Sequence, residues 1–140
     1  MTAAGARQKL DLLFMIDNSS SMTFAQQKLL VEMQSFAAAL ESLPGGLPDL
    51  HVAVVSSDMG APGDVSASIG CTPSGDEGQF HAEPQNGCAS TGLEPGATFV
   101  TSSNGVANFT GPLADVLTCI APLGSLGCGF EHQLASVARA

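Results

Sequence analysis

Residues 10–16 read LDLLFMI, a nearly unbroken apolar run of strand length, and polarity switches at once to Asp17-Asn18-Ser19-Ser20-Ser21. A run bounded so sharply is the pattern of a strand covered on both faces in a parallel sheet. The next periodicity is helical. Leu29, Met33, Phe36, Leu40 and Leu43 fall at i, i+4, i+7, i+11 and i+14, while Gln27, Glu32, Gln34 and Glu41 lie off that stripe. Pro44-Gly45-Gly46 stops the helix, and residues 50–56, LHVAVVS, read as a second buried strand. Residues 10–56 therefore form one strand–helix–strand unit. Its right-handed crossover makes the strands parallel, so both carboxyl ends reach one sheet edge, with Asp17 and Asp58 on it. In open α/β sheets that edge is where ligand sites form.

Beyond this unit the composition changes. Residues 57–96 hold eight of the sixteen glycines and four of the eight prolines, the mark of a long surface excursion with little regular structure. Residues 97–102 are a weak strand. A short helix follows, with Pro112 in its first turn and Leu113, Val116, Leu117 and Ile120 on one face. A glycine-rich turn at 124–129 leads to a last amphipathic helix carrying Phe130, Leu134 and Val137. A doubly wound sheet needs five or six strands, and two strong ones plus a weak one are present. The expectation is the N-terminal portion, 9–140, of a single α/β domain with a mostly parallel sheet, incomplete at its C-terminus, preceded by a flexible segment at 1–8. Missing strands would leave one flank of the sheet, and the stripe Phe130, Leu134 and Val137, prone to association.

Thirteen acidic residues against four basic ones give a formal net charge of −9, which repels nucleic acid and anionic lipid. No apolar run approaches the roughly 20 residues of a membrane span. Cys71, Cys88, Cys119 and Cys128 lack zinc-site spacing, and their even number favours two disulfides in an oxidising compartment, with buried thiols as the alternative. Cys119 and Cys128 flank a turn between two helices and are expected to pair, leaving Cys71 with Cys88 around Gly75-Asp76-Glu77-Gly78. The N-terminus carries no secretory signal, so an export leader is expected upstream.

The chemistry concentrates in Asp17-x-Ser19-x-Ser21. One carboxylate and two hydroxyls are all hard oxygen donors. Magnesium keeps several waters, so a site with few charged ligands suits it, with manganese or calcium as alternatives. Neutral serine oxygens leave such an ion electrophilic, open to a carboxylate from a partner. The plain alternative is that the serines cap the following helix. Asp58 is a candidate water-mediated ligand or else an Asx turn. Asp64, Asp76 and Glu77 read as a solvated acidic loop rather than a calcium site. His51 reads as a satisfied strand residue, and His81 and His132 lack partners at ligand spacing. Asn18-Ser19-Ser20 and Asn108-Phe109-Thr110 match the glycosylation pattern, the first discounted because it occupies the metal loop.

Strand LDLLFMI, then DNSSSM, an amphipathic helix and strand LHVAVVS together resemble the von Willebrand factor A domain, bacterial envelope type, over residues 9–58 and 108–140. The resemblance implies a three-layer, doubly wound, Rossmann-like fold and a metal-ion-dependent adhesion site. Asp17, Ser19 and Ser21 match that site's first motif. The later segment LADVLTCIAPLGSLGCGFEHQL resembles the region that presents a threonine ligand, and here Gly129 or Glu131 stands in its place. The family's last aspartate ligand would follow residue 140. The implied role is a protein-binding module, extracellular or in the bacterial cell envelope, completed by a carboxylate of its protein ligand. A metal-assisted hydrolase is a lesser alternative, since no Gly-x-Ser-x-Gly elbow, phosphate loop or His-Glu-x-x-His helix is present. A structural envelope fragment without metal function is the other.

Overall fold

The computed structural model describes residues 8–63, 70–85 and 87–140. The expected flexible segment, apart from Gln8, and Asp64 lie outside the described residues. The chain is mixed α/β: β1 (Lys9–Ile16), a single 3-10 turn (Ser20–Met22), α1 (Thr23–Glu41), β2 (Asp49–Ser56), β3 (Val100–Ser103), β4 (Val106–Ala107), α2 (Leu113–Ile120) and α3 (Gln133–Arg139). The four strands form one sheet in the order β1-β2-β3-β4. β1 and β2 are parallel over eight pairs, from Lys9 with Asp49 to Ile16 with Ser56. The other two pairings are antiparallel, so the expected mostly parallel sheet is confined to the first pair. The weak strand at 97–102 is the first arm of a hairpin, Val100–Ser103, turned by Asn104-Gly105.

One sheet face carries the core. Even-numbered residues of β1 and β2, among them Ile16, Leu50, Val52 and Val54, pack with Met33 and Ala37 of α1 and Leu113, Val116, Leu117 and Ile120 of α2. Phe14 meets Phe36 edge to face at 5.7 Å. The α1 stripe is as expected except at Leu43, which lies beyond the helix end and is exposed. Glu41, in the last turn of α1, accepts the Leu113 backbone N–H through Oε1 at 2.8 Å. Its carboxylate therefore satisfies one of the free donors at the start of α2.

The opposite face is only partly covered. α3 lies against β1 and β2, anchored by Ser136, whose hydroxyl donates to the Ser56 carbonyl. The stripe Phe130, Leu134 and Val137 is exposed, as expected, and the buried residue of α3 is Ser136. Two expectations are corrected here. β1 is not covered on both faces: it ends the strand order, and Leu13 is 39% exposed. The disulfides are Cys71–Cys128 and Cys88–Cys119, not the sequential pairs. The excursion folds back before it returns, with the Asp76 N–H on the Asp58 carbonyl and the Gln85 N–H on the Cys119 carbonyl, both at 2.8 Å. That path sets Cys71 beside the 124–131 turn and Cys88 beside α2.

Candidate metal-binding loop

The parallel register brings Asp17 and Ser57 to the same level as the strands end. Asp17 Oδ1 accepts the Ser19 backbone N–H at 2.8 Å and the buried Ser57 hydroxyl at 3.3 Å. Two donors on one oxygen hold the carboxylate in place. Ser19 opens the 3-10 turn but makes no side-chain capping bond. Its Oγ lies 3.2 Å from Ser21 Oγ. The hydroxyls are therefore directed at each other rather than at free backbone donors.

The spacing can be tested against a cation. Adjacent ligands of an octahedron at about 2.1 Å sit about 3.0 Å apart, and at a calcium distance of about 2.4 Å they sit about 3.4 Å apart. The observed Ser19–Ser21 separation falls between, so the spacing of these two hydroxyls is that of adjacent ligands for either ion. Charge narrows the choice. Among the described residues no three His, Cys, Asp or Glu side chains gather to hold a metal ion, so a cation at this loop would need hydroxyls and water as much as carboxylate. That donor set suits magnesium.

The 124–131 turn forms the wall behind the loop. Gln26, buried in α1, reads both sides: its Nε2 donates to the carbonyls of Asp17, at 2.8 Å, and Gly124, and its Oε1 accepts the Gly124 N–H at 2.8 Å. The Gly127 N–H donates to the Asn18 carbonyl at 2.8 Å. Any Cβ on Gly127 would overlap the Asn18 side chain, which explains the glycine. Asn18 is itself buried, and its Oδ1 has no hydrogen-bond partner among the described residues.

The remaining candidates take other places. Asp58 is buried, and both its oxygens are engaged: Oδ1 accepts the Gly60 N–H at 2.8 Å and Oδ2 the Cys128 N–H at 3.1 Å. This is an Asx turn that also staples the excursion to the later turn. Glu131 pairs with Asp58 through a backbone bridge, so it stands at the same edge. Asp76 accepts the Ser56 hydroxyl and lies 3.3 Å from His81 Nε2, at ion-pair distance without hydrogen-bonding geometry. His51 is paired with Asp11 at 2.8 Å on the exposed face. The His132 N–H donates to the Ser57 carbonyl at 3.0 Å. Asn108 is committed to the hairpin, accepting the Thr101 N–H and donating to the Phe99 carbonyl. Sequence reasoning passed over Ser57 and Gln26. Ser57 carries a weak signal, being the residue of β2's exit that faces the exit of β1. Gln26 carries none, since its partner Gly124 is 98 residues away.

No helix among the described residues is long and apolar enough to cross a membrane. Comparison with protein-family models, curated proteins and solved structures gave no match.

Proposed function

We propose that this chain is part of an exported, metal-ion-dependent protein-binding module of the von Willebrand factor A type. In that reading its sheet belongs to a larger doubly wound one, and Asp17, Ser19 and Ser21 hold a magnesium ion. The observation that supports the reading is the approach of the Ser19 and Ser21 hydroxyl oxygens to 3.2 Å in the loop that leaves a parallel strand, where Asp17 Oδ1 accepts the Ser19 backbone N–H. The ion would supply one open electrophilic position to a carboxylate of the protein ligand. Asp17 contributes the only formal charge of the triad. Ser57 and the Ser19 amide orient that charge, and Gln26 fixes the loop against the 124–131 turn. Glu131 and Asp58 stand at the same edge, Glu131 as a further ligand and Asp58 as the residue that holds the turn in place.

The disulfides support an oxidising compartment, extracellular or in a cell envelope. A net charge of −9 matters for the partner as well: an acidic protein repels an acidic ligand unless a cation stands between them. Binding is thus expected to need the ion. Calorimetric titration with magnesium tests the reading. Saturable binding in the parent and its loss in Asp17→Ala is the expected result, and equal binding by both chains overturns it.

A further inference from the structure

A groove of about 240 Å³ opens beside the candidate metal loop, between the first turns of α1 and the segment that leaves α2. Two of its lining residues, Gln26 and Gly124, tie it to the loop, since the Gln26 amide holds the Asp17 carbonyl and the Gly124 backbone together. Thr23, also in the lining, donates its hydroxyl to the Ser20 carbonyl at 3.1 Å. Loop and groove therefore share a wall. Along α1 the lining residues Thr23, Gln27 and Leu30 follow one another at helical spacing. Pro122 and Ser125 come from the segment after α2, and Gln85 comes from the excursion, its backbone N–H donating to the Cys119 carbonyl at 2.8 Å. The chain has thirteen acidic and four basic residues, yet among the described residues no charged side chain lines this groove.

We propose that the groove receives an uncharged, extended stretch of the protein ligand, next to the residue whose carboxylate completes the cation. This occupant follows only if Asp17, Ser19 and Ser21 hold the cation as proposed above, and it specifies what flanks the ligand's carboxylate. An extended backbone presents alternating N–H and C=O groups, and the side-chain amides of Gln27 and Gln85 each bring both donors and an acceptor to meet them. Leu30 and Pro122 offer apolar contact to a small side chain between those amides. A Lys, Arg, Asp or Glu side chain entering here would shed water without gaining a counter-charge, an unfavourable exchange. The volume is below the roughly 300–1,000 Å³ of pockets for free small molecules, so the groove suits a short segment of a longer chain that is anchored elsewhere, here by the ion. Ion and groove then act as linked contacts, each raising the effective concentration for the other.

The test compares two probes by NMR titration of the full chain with magnesium present. One is acetyl-aspartate amide, which carries the carboxylate alone. The other is the capped peptide Ala-Ser-Ala-Asp-Ala-Ser-Ala, whose central aspartate lets either flank reach the groove. The peptide is expected to bind at least about tenfold more tightly and to shift the side-chain amide signals of Gln27 and Gln85, which acetyl-aspartate amide leaves in place. Replacing both amides, Gln27→Ala together with Gln85→Ala, should return the peptide to the affinity of acetyl-aspartate amide, with magnesium affinity and circular dichroism as in the parent. A parent that binds no magnesium overturns the metal-dependent reading and this occupant with it. If magnesium binds but the peptide gains nothing over acetyl-aspartate amide, or if its gain survives the double substitution, this occupant alone is overturned.

Discussion

Ser57 separates the geometry of the loop from its chemistry. It touches no proposed cation, yet its hydroxyl is one of two donors on Asp17 Oδ1. Ser57→Ala should therefore weaken magnesium binding by about tenfold, the usual effect of removing a group that orients a ligand. Stability should change little, since the Ser19 amide still serves the carboxylate. Calorimetry paired with urea melts checks both halves. Gln26 makes the opposite case. Gln26→Leu removes three hydrogen bonds and strands the Gly124 N–H and two carbonyls beside an apolar side chain, at a cost of roughly 2–4 kcal/mol. A shift in urea midpoint without a change in slope is the expected signature, and an unchanged midpoint would show that water replaces the amide. Neither residue's role was written plainly in the sequence. Asp17, Ser19 and Ser21 stood out because they interrupt an apolar pattern within five positions, whereas Gln26 acts through a partner 98 residues away that no local spacing reveals.

At the scale of elements, what was legible followed from periodicity and what was not followed from return paths. α1 announced its buried face because Met33 and the partly buried Leu29, Phe36 and Leu40 repeat at helical spacing. Phe130, Leu134 and Val137 repeat just as well, and their stripe is exposed as expected, but periodicity could not say what holds the helix in place instead. The hydroxyl of Ser136 holds α3 to the Ser56 carbonyl, and the apolar stripe is left uncovered. The cysteines make the same point. Nearest-neighbour pairing assumes that the excursion closes on itself, whereas its backbone bonds to Asp58 and Cys119 lay it against other parts of the fold. Peptide mapping under non-reducing conditions should recover Cys71 linked to Cys128 and Cys88 linked to Cys119. The linked residues are 57 and 31 positions apart. By loop-closure entropy each bridge is then worth about 4 kcal/mol, the longer slightly more. Loss of Cys71–Cys128 should also loosen magnesium binding, because Cys128 and its neighbours hold Asn18 and Asp58. Removing Cys88–Cys119 should cost stability alone. Equal magnesium affinity in the two double-serine variants would separate the turn from the loop.

For the whole molecule, the question is how to tell a site from a general response to cations. With four basic residues against thirteen acidic ones, the folded chain repels itself, and any salt that screens this charge raises its melting temperature. A bound ion adds a second, saturable contribution. At a free magnesium concentration one hundred times the dissociation constant that contribution is about 2.7 kcal/mol, or roughly 8–10 °C for a domain of this size. Screening scales with ionic strength and needs no particular residue, whereas the saturable part needs the Asp17 carboxylate. Thermal melts at fixed ionic strength, with magnesium exchanged for sodium, hold the screening constant and should therefore show the saturable shift in the parent and none in Asp17→Ala. If the two chains rise in parallel as magnesium is added, the loop at 17–21 is a helix start with hydroxyls in it and nothing more.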